Sequence, residues 1–277
     1  MVNPFTLPPT GFGPGSQPLP DDELQYMPMP SGMRTYSAHI PEANDHVALA
    51  EALALLEQMA VACEQGAKGG APVEFDLSTL GPNVRAVVAD ALGQGEVSMK
   101  LRGVPAVMVQ ESVFAGVWVL AGSGFDRVEV APVPSLAITR AHRPRRPAIG
   151  TLTPRRAGLA NAPSILAELM DKSLTRPVGA MPHVVNLSLL PHSPEDLEWL
   201  DEALGEGAVT ILSRGYGNCR ITATAQARVW KVQFFNSMDT LILDTYEVTE
   251  MPEVALAADV DLGDSAVRIR EVIEAIR

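Results

Sequence analysis

The strongest constraint on this chain is that part of it is written twice. Ala203-Leu204-Gly205-Glu206-Gly207 repeats Ala91-Leu92-Gly93-Gln94-Gly95 at an offset of 203 − 91 = 112 residues. The same offset of 112 relates Arg214-Gly215 to Arg102-Gly103 and Val229-Trp230 to Val117-Trp118. A register kept without insertion, with glycines and tryptophans in step, predicts two copies of one structural unit. The expected fold class is therefore α+β: two tandem copies of a strand–helix–antiparallel meander unit flanked by helices, behind an extended Pro/Gly-rich N-terminal arm. The expected boundaries are 1–45 for the arm, 46–138 for the first repeat unit, 139–160 for a basic Arg/Pro linker, and 161–277 for the second unit with a C-terminal helix.

A chain of 277 residues accommodates two modest domains and can bury a core without staples. Cys63 and Cys219 fall outside the repeated positions and form no ligand or redox spacing, which points to buried thiols in a reducing compartment. The first residues, Met1-Val2-Asn3-Pro4-Phe5, have no basic flank and no apolar run. They read as neither a secretory signal nor a spanning helix, so a cytoplasmic location is expected. A net charge of −12 argues against nucleic-acid binding, which needs clustered Lys and Arg at phosphates.

Residues 1–36 carry eight prolines and read as an extended arm. Its distinctive part, Gly11 to Pro18, is not a phosphate loop, because no strand precedes it and no helix start follows. With Phe12 as its one large apolar side chain it has no core of its own, so it either clamps the body or docks on a partner. In the first unit, Leu49, Leu53, Leu56 and Ala60 predict a helix from about Val47 to Cys63. Alternation from Pro72 to Leu77 predicts a strand, Pro82 opens a short helix closing at Gly93, and strands follow at 96–101, 106–112, 115–121 and 128–131. In the second unit, helix 164–170 precedes a strand at 183–190. Ser193-Pro194-Glu195-Asp196 then caps a short helix. Strands at 208–212, 217–223, 227–235 and 241–248 complete it, and Asp264 is expected to cap the last helix, whose stripe is Ile269, Val272, Ile273 and Ile276. Between the units, Thr139–Arg156 holds six arginines and no acid, an exposed linker over an acidic body.

The motifs of catalysis are missing. The five histidines lie on different predicted elements, and there is no nucleophile elbow, dinucleotide fingerprint or Walker loop. Glu195, Asp196, Glu198, Asp201 and Glu202 read as the solvated face of a capped helix rather than an acid–base pair. Trp118 and Trp230 read as core residues of equivalent units, with exposed docking tryptophans as the alternative.

The segments Gly13-Pro14-Gly15-Ser16-Gln17-Pro18 and Tyr26-Met27-Pro28-Met29-Pro30 resemble the opening of the HupH/HyaF hydrogenase expression proteins. So do Leu92 to Val97, Gln110 to Trp118, Gly215-Tyr216-Gly217, Ile221 to Thr224, Val229-Trp230, and Tyr246-Glu247-Val248 with Met251 to Val254. The resemblance implies a non-enzymatic maturation chaperone without a cofactor. Its implied client is the iron–sulfur small subunit of a nickel–iron uptake hydrogenase, bound before assembly and twin-arginine export, with a thioredoxin-like accessory protein as a further partner. It implies no catalytic residues. Gly13, Pro14, Gly15, Ser16, Gln17, Gln110, Glu111, Tyr216 and Glu247 are candidate partner-contact or structural positions. At Ala115 some relatives have Cys, so no thiol role carries over there. A redox or cluster-handling factor acting on the same subunit, and a scaffold for other accessory proteins, are the alternatives.

Overall fold

In the computed structural model, residues 46–215 and 217–277 are described; the candidates in the arm, Gly13 to Gln17, and Tyr216 lie outside them. The elements are α1 (His46–Gly66), β1 (Val73–Asp76), α2 (Pro82–Leu92), β2 (Val97–Leu101), β3 (Val107–Glu111), β4 (Val117–Gly122), β5 (Phe125–Val130) and α3 (Ser135–Arg140). Then come α4 (Ala162–Thr175), β6 (His183–Asn186), α5 (Pro194–Leu204), β7 (Val209–Ser213), β8 (Asn218–Ala223), β9 (Val229–Phe235), β10 (Leu241–Val248) and α6 (Asp259–Ile276). This is a mixture of helices and antiparallel sheet, an α+β fold.

Among the described residues, ten strands form one sheet in the order β1-β5-β4-β3-β2-β7-β8-β9-β10-β6. Its two halves meet where β2 pairs antiparallel with β7, Met99 opposite Ile211 and Leu101 opposite Val209. Each half runs edge strand, helix, four-strand meander. Helices α2 and α5 both open on a proline, Pro82 and Pro194, which needs no amide partner in a first turn. Both end at glycines of positive φ, Gly93 at 54° and Gly205 at 67°, a conformation that side chains resist. A Cβ on Gly205 would also lie 2.4 Å from the Arg146 carbonyl, so the linker could not lie so close.

Both faces of the sheet carry hydrophobic core. On one face Trp118, Trp230, Met99, Leu101, Val109, Ile211, Ile221 and Val232 form a core with Val133, Ala137, Met251 and Ala255 from the segments after β5 and β10. Those segments join where the Ala257 amide donates to the Pro132 carbonyl at 2.8 Å. The neighbours Val117 and Val229 point the other way. Val117 packs with α1, α2 and α6, and Val229 with α4 and α5. Helix α6 follows the second half in sequence but packs against α1 of the first, with Arg270 bridging Glu57 at 2.9 Å and Glu64 at 2.5 Å. Among the described residues α1 alone has the length and hydropathy of a membrane-crossing helix. Its Ala52, Leu56, Met59, Ala60 and Cys63 are buried in this core.

Three sequence expectations differ from the structure. The strand expected at 183–190 stops at Asn186, and Leu187–Leu189 tighten into a 3-10 turn. The last helix starts five residues before Asp264, so that residue lies inside it and Ala258 stands at the cap. The linker is not bare. Arg140 and Ala141 are buried, Arg145 pairs with Glu206 at 2.6 Å, Arg156 pairs with Glu202 at 3.2 Å, and the Arg146 guanidinium donates to the Asp201 carbonyl at 2.6 Å.

Candidate partner-binding surface

Helices cover the outer strands of one face and leave its centre open. Alternation sends Met99 and Leu101 into the core and Ser98 and Lys100 to the helix side. There the helix pairs α1/α2 and α4/α5 leave a trough lined by residues of β2, β3, β7 and β8: Ser98, Lys100, Met108, Thr210, Leu212, Arg220 and Thr222. Its volume is about 470 Å³. Two large apolar side chains stand in it, Met108 at 55% and Leu212 at 44% exposure. The Arg102 guanidinium donates to Thr210 Oγ1 at 2.8 Å, and Arg220 lies over the Phe235 ring at 5.6 Å. A second, more apolar groove runs between α2 and β3/β4, lined among others by Leu80, Ala86, Ala89 and Val119.

The sequence candidates do not converge. Gln110 stands at the edge of the α2 groove, but its amide Nε2 lies 3.1 Å from the carbonyls of Gly95, Val97 and Glu111. It ties the α2–β2 turn to β3 and has little left to offer a partner. Glu111 points to the other face, opposite Trp118, and Oε1 accepts from the Gly116 amide at 3.2 Å. Glu247 lies opposite Trp230 on β10, with β2, β7, β8 and β9 between it and β3. Burial, then repulsion from Glu253, raises its carboxyl.

Sequence reasoning missed Glu129, which faces Trp118 as Glu247 faces Trp230. Glu129 is buried, and its Oε1 accepts from the Ser135 amide at 2.8 Å and hydroxyl at 2.6 Å. The signal was present: Val128-Glu129-Val130 matches Tyr246-Glu247-Val248, but at 247 − 129 = 118 residues, six more than the repeat offset. It also passed over Trp199, whose indole N–H donates to the Pro154 carbonyl at 2.9 Å and holds the linker on α5. Of the five α5 carboxylates, Asp196 is not on the solvated face. It is fully buried, because the start of α4 delivers three amides to it.

These groups offer little for chemistry. Burial pushes both thiols, Cys63 and Cys219, up to about 12, the range of an unreactive thiol. Among the described residues no group of three His, Cys, Asp or Glu is placed to hold a metal ion.

Glu111 makes a pH prediction. Burial pushes its carboxyl up to about 7, against the opposing Gly116 hydrogen bond, with Glu96 and Asp261 adding repulsion. The folded state therefore holds this proton more tightly than the unfolded chain does, and ionisation as pH rises towards 7 costs stability. Glu111→Gln should melt higher than the parent at pH 8, with the difference vanishing at pH 4. Equal differences at both pH values would refute this account.

The family described as "HupH hydrogenase expression protein, C-terminal conserved region" matches residues 49–143 and 159–276. The chain belongs to the HupH family of hydrogenase expression proteins. It is 62% identical over 277 residues to the hydrogenase expression/formation protein HupH of Rhodobacter capsulatus, covering 100% of each. It is 43% identical to HupQ of Azotobacter chroococcum mcd 1, again over 100% of each chain. To the hydrogenase-1 operon protein HyaF of Escherichia coli (strain K12) it is 31% identical, covering 95% of this chain and 94% of the relative. The family read from the arm and the repeated segments is the family found. The gap between the two matched stretches, 144–158, falls in the Arg/Pro linker.

Proposed function

We propose that this HupH-family chain is an accessory chaperone of hydrogenase formation with no catalytic step of its own. In this reading it works in the cytoplasm and holds the iron–sulfur small subunit of a nickel–iron uptake hydrogenase. It does so before that subunit joins the large subunit and leaves by the twin-arginine pathway, with a thioredoxin-like accessory protein as a further partner. The observation that carries the reading is end-to-end similarity to relatives named for hydrogenase expression and formation. The open trough at the centre of the sheet supports it, since a chaperone needs a surface that its own fold leaves uncovered. We read the two halves of the sheet as tandem copies of one unit, which places that surface at their junction.

The test is a pull-down on the purified chain with the small subunit, carrying or lacking its leader, and with the large subunit. Retention of the small subunit without the large one is the expected result. Capture of other accessory proteins with no small subunit would replace the chaperone by a scaffold.

A further inference from the structure

The trough differs in charge from the rest of the molecule. The chain carries −12 overall, yet the side chains standing in the trough include Lys100, Arg102 and Arg220. Its acid, Glu206, is already paired with Arg145 at 2.6 Å. Lys100 and Arg220 make no ion pair among the described residues, whereas Lys231, on β9 beside α5, is neutralised by Asp201 at 3.0 Å.

The arrangement is diagonal. Lys100 faces Met108 across the β2–β3 pair, and Leu212 faces Arg220 across the β7–β8 pair. The repeat offset of 112 carries Lys100 onto Leu212 and Met108 onto Arg220. Each half thus contributes one cation and one apolar side chain, with the two roles exchanged between strands. Thr210 and Thr222 continue the row of Met108 and Lys100 onto β7 and β8. Lys100 and Arg220 stand two strands and two residues apart, about 12 Å at ordinary sheet spacings. An extended chain places residues four apart at about 13 Å, on the same side, with a third side chain between them.

We propose that the trough binds an extended, acidic segment of a partner protein, with two carboxylates four residues apart on Lys100 and Arg220, an apolar side chain midway between them against Leu212, and another apolar side chain two residues before the first carboxylate against Met108, on the outer side of Lys100. This goes beyond the chaperone reading, because it specifies a sequence chemistry and not which protein carries it. Exposed ion pairs add little affinity singly, so the apolar contact supplies binding and the cations supply selection and encounter rate. A second copy of this chain is a poor occupant, since stacking trough on trough would set these cations against one another.

The test uses the full chain and a fluorescein-labelled peptide of repeated Glu-Ser-Leu-Ser, with a Lys-Ser-Leu-Ser peptide and a single-stranded oligonucleotide as competing probes, read by anisotropy. The Glu peptide should bind, weaken with salt, and lose about tenfold in affinity in Lys100→Glu with Arg220→Glu, as expected for reversed rather than deleted charges. The reversed protein should take up the Lys peptide instead. Both positions are exposed, so melting temperature should be unchanged. If it falls, Lys100→Gln with Arg220→Gln replaces the reversal and should show the same direction. Equal binding of the Glu and Lys peptides, unchanged affinity in the variants, preference for the oligonucleotide, or no peptide binding at all would overturn the proposal.

Discussion

Trp230→Ala should remove about 3–5 kcal/mol of stability, as truncating a buried large aromatic does. For a body of this size that corresponds to a fall in melting temperature of roughly 6–20 °C. The ring is fully buried among Val232, Ile221, Ala223 and Met251, and its indole N–H donates to the Thr249 carbonyl at 3.2 Å. The imidazole of His142 meets it edge to face, with centroids 5.1 Å apart. Trp118 is equally buried and donates to Ala131 at 2.9 Å, so Trp118→Ala should cost a similar amount. The Phe variants keep most of the apolar area but orphan a buried carbonyl, which costs about 1–3 kcal/mol. Denaturant melts of the four variants measure this. A loss under about 1 kcal/mol in either Ala variant would mean the ring is not buried as described.

The tryptophans also mark how far the sequence could be read. The pairs Trp118/Trp230, Gly93/Gly205 and Pro82/Pro194 share one offset, and each residue occupies a position with few substitutes: a large cavity, a positive φ, and a first helical turn. Where the constraint relaxes, the pattern blurs. The left-handed position of Gly116, φ 78°, is Arg228 at φ 65° in the other half. That strain is offset by the Arg228 guanidinium, which donates to the Arg176 carbonyl at 2.7 Å and pairs with Glu250 at 2.8 Å. The hairpin between β9 and β10 is longer than the one between β4 and β5, which hid the like placement of Glu129 and Glu247 opposite the two tryptophans. Nothing local to β2 or β7 announced that they pair, since 97–101 and 209–213 are joined only by tertiary structure. The same holds for α6, whose apolar stripe was legible but whose partner, α1, lies some two hundred residues earlier. The trough was illegible for that reason: its strands come from both halves, and the alternation of Lys100 or Arg220 in a strand reads as ordinary solvent exposure.

Asp196 carries the other large effect. The capping sequence Ser193-Pro194-Glu195-Asp196 marks a helix start, and Ser193 Oγ does accept the Asp196 amide at 3.0 Å, while Asp196 Oδ2 accepts the Ser193 amide at 3.0 Å. The same carboxylate also receives the amides of Ala160 at 2.9 Å, Asn161 at 3.3 Å and Ala162 at 3.0 Å, so one side chain caps α5 and anchors the start of α4. Burial opposes the charge, but the Ser193, Ala162, Asn161 and Ala160 amides outweigh it and bring the carboxyl down to about 2. Asp196→Ala leaves four amides without their acceptor in a site closed to water and should cost about 3–5 kcal/mol. Asp196→Asn keeps the shape and one acceptor but not the charge, and should fall between. The depressed value also sets a pH window. The contribution of Asp196 is complete above its ordinary 3.8 and is lost as pH falls towards 2, so the gap between parent and Asp196→Asn should close across that interval. Melting curves from pH 7 to pH 2 test this. A gap that stays constant down to pH 2 would mean the four amides are not held by an ionised carboxylate.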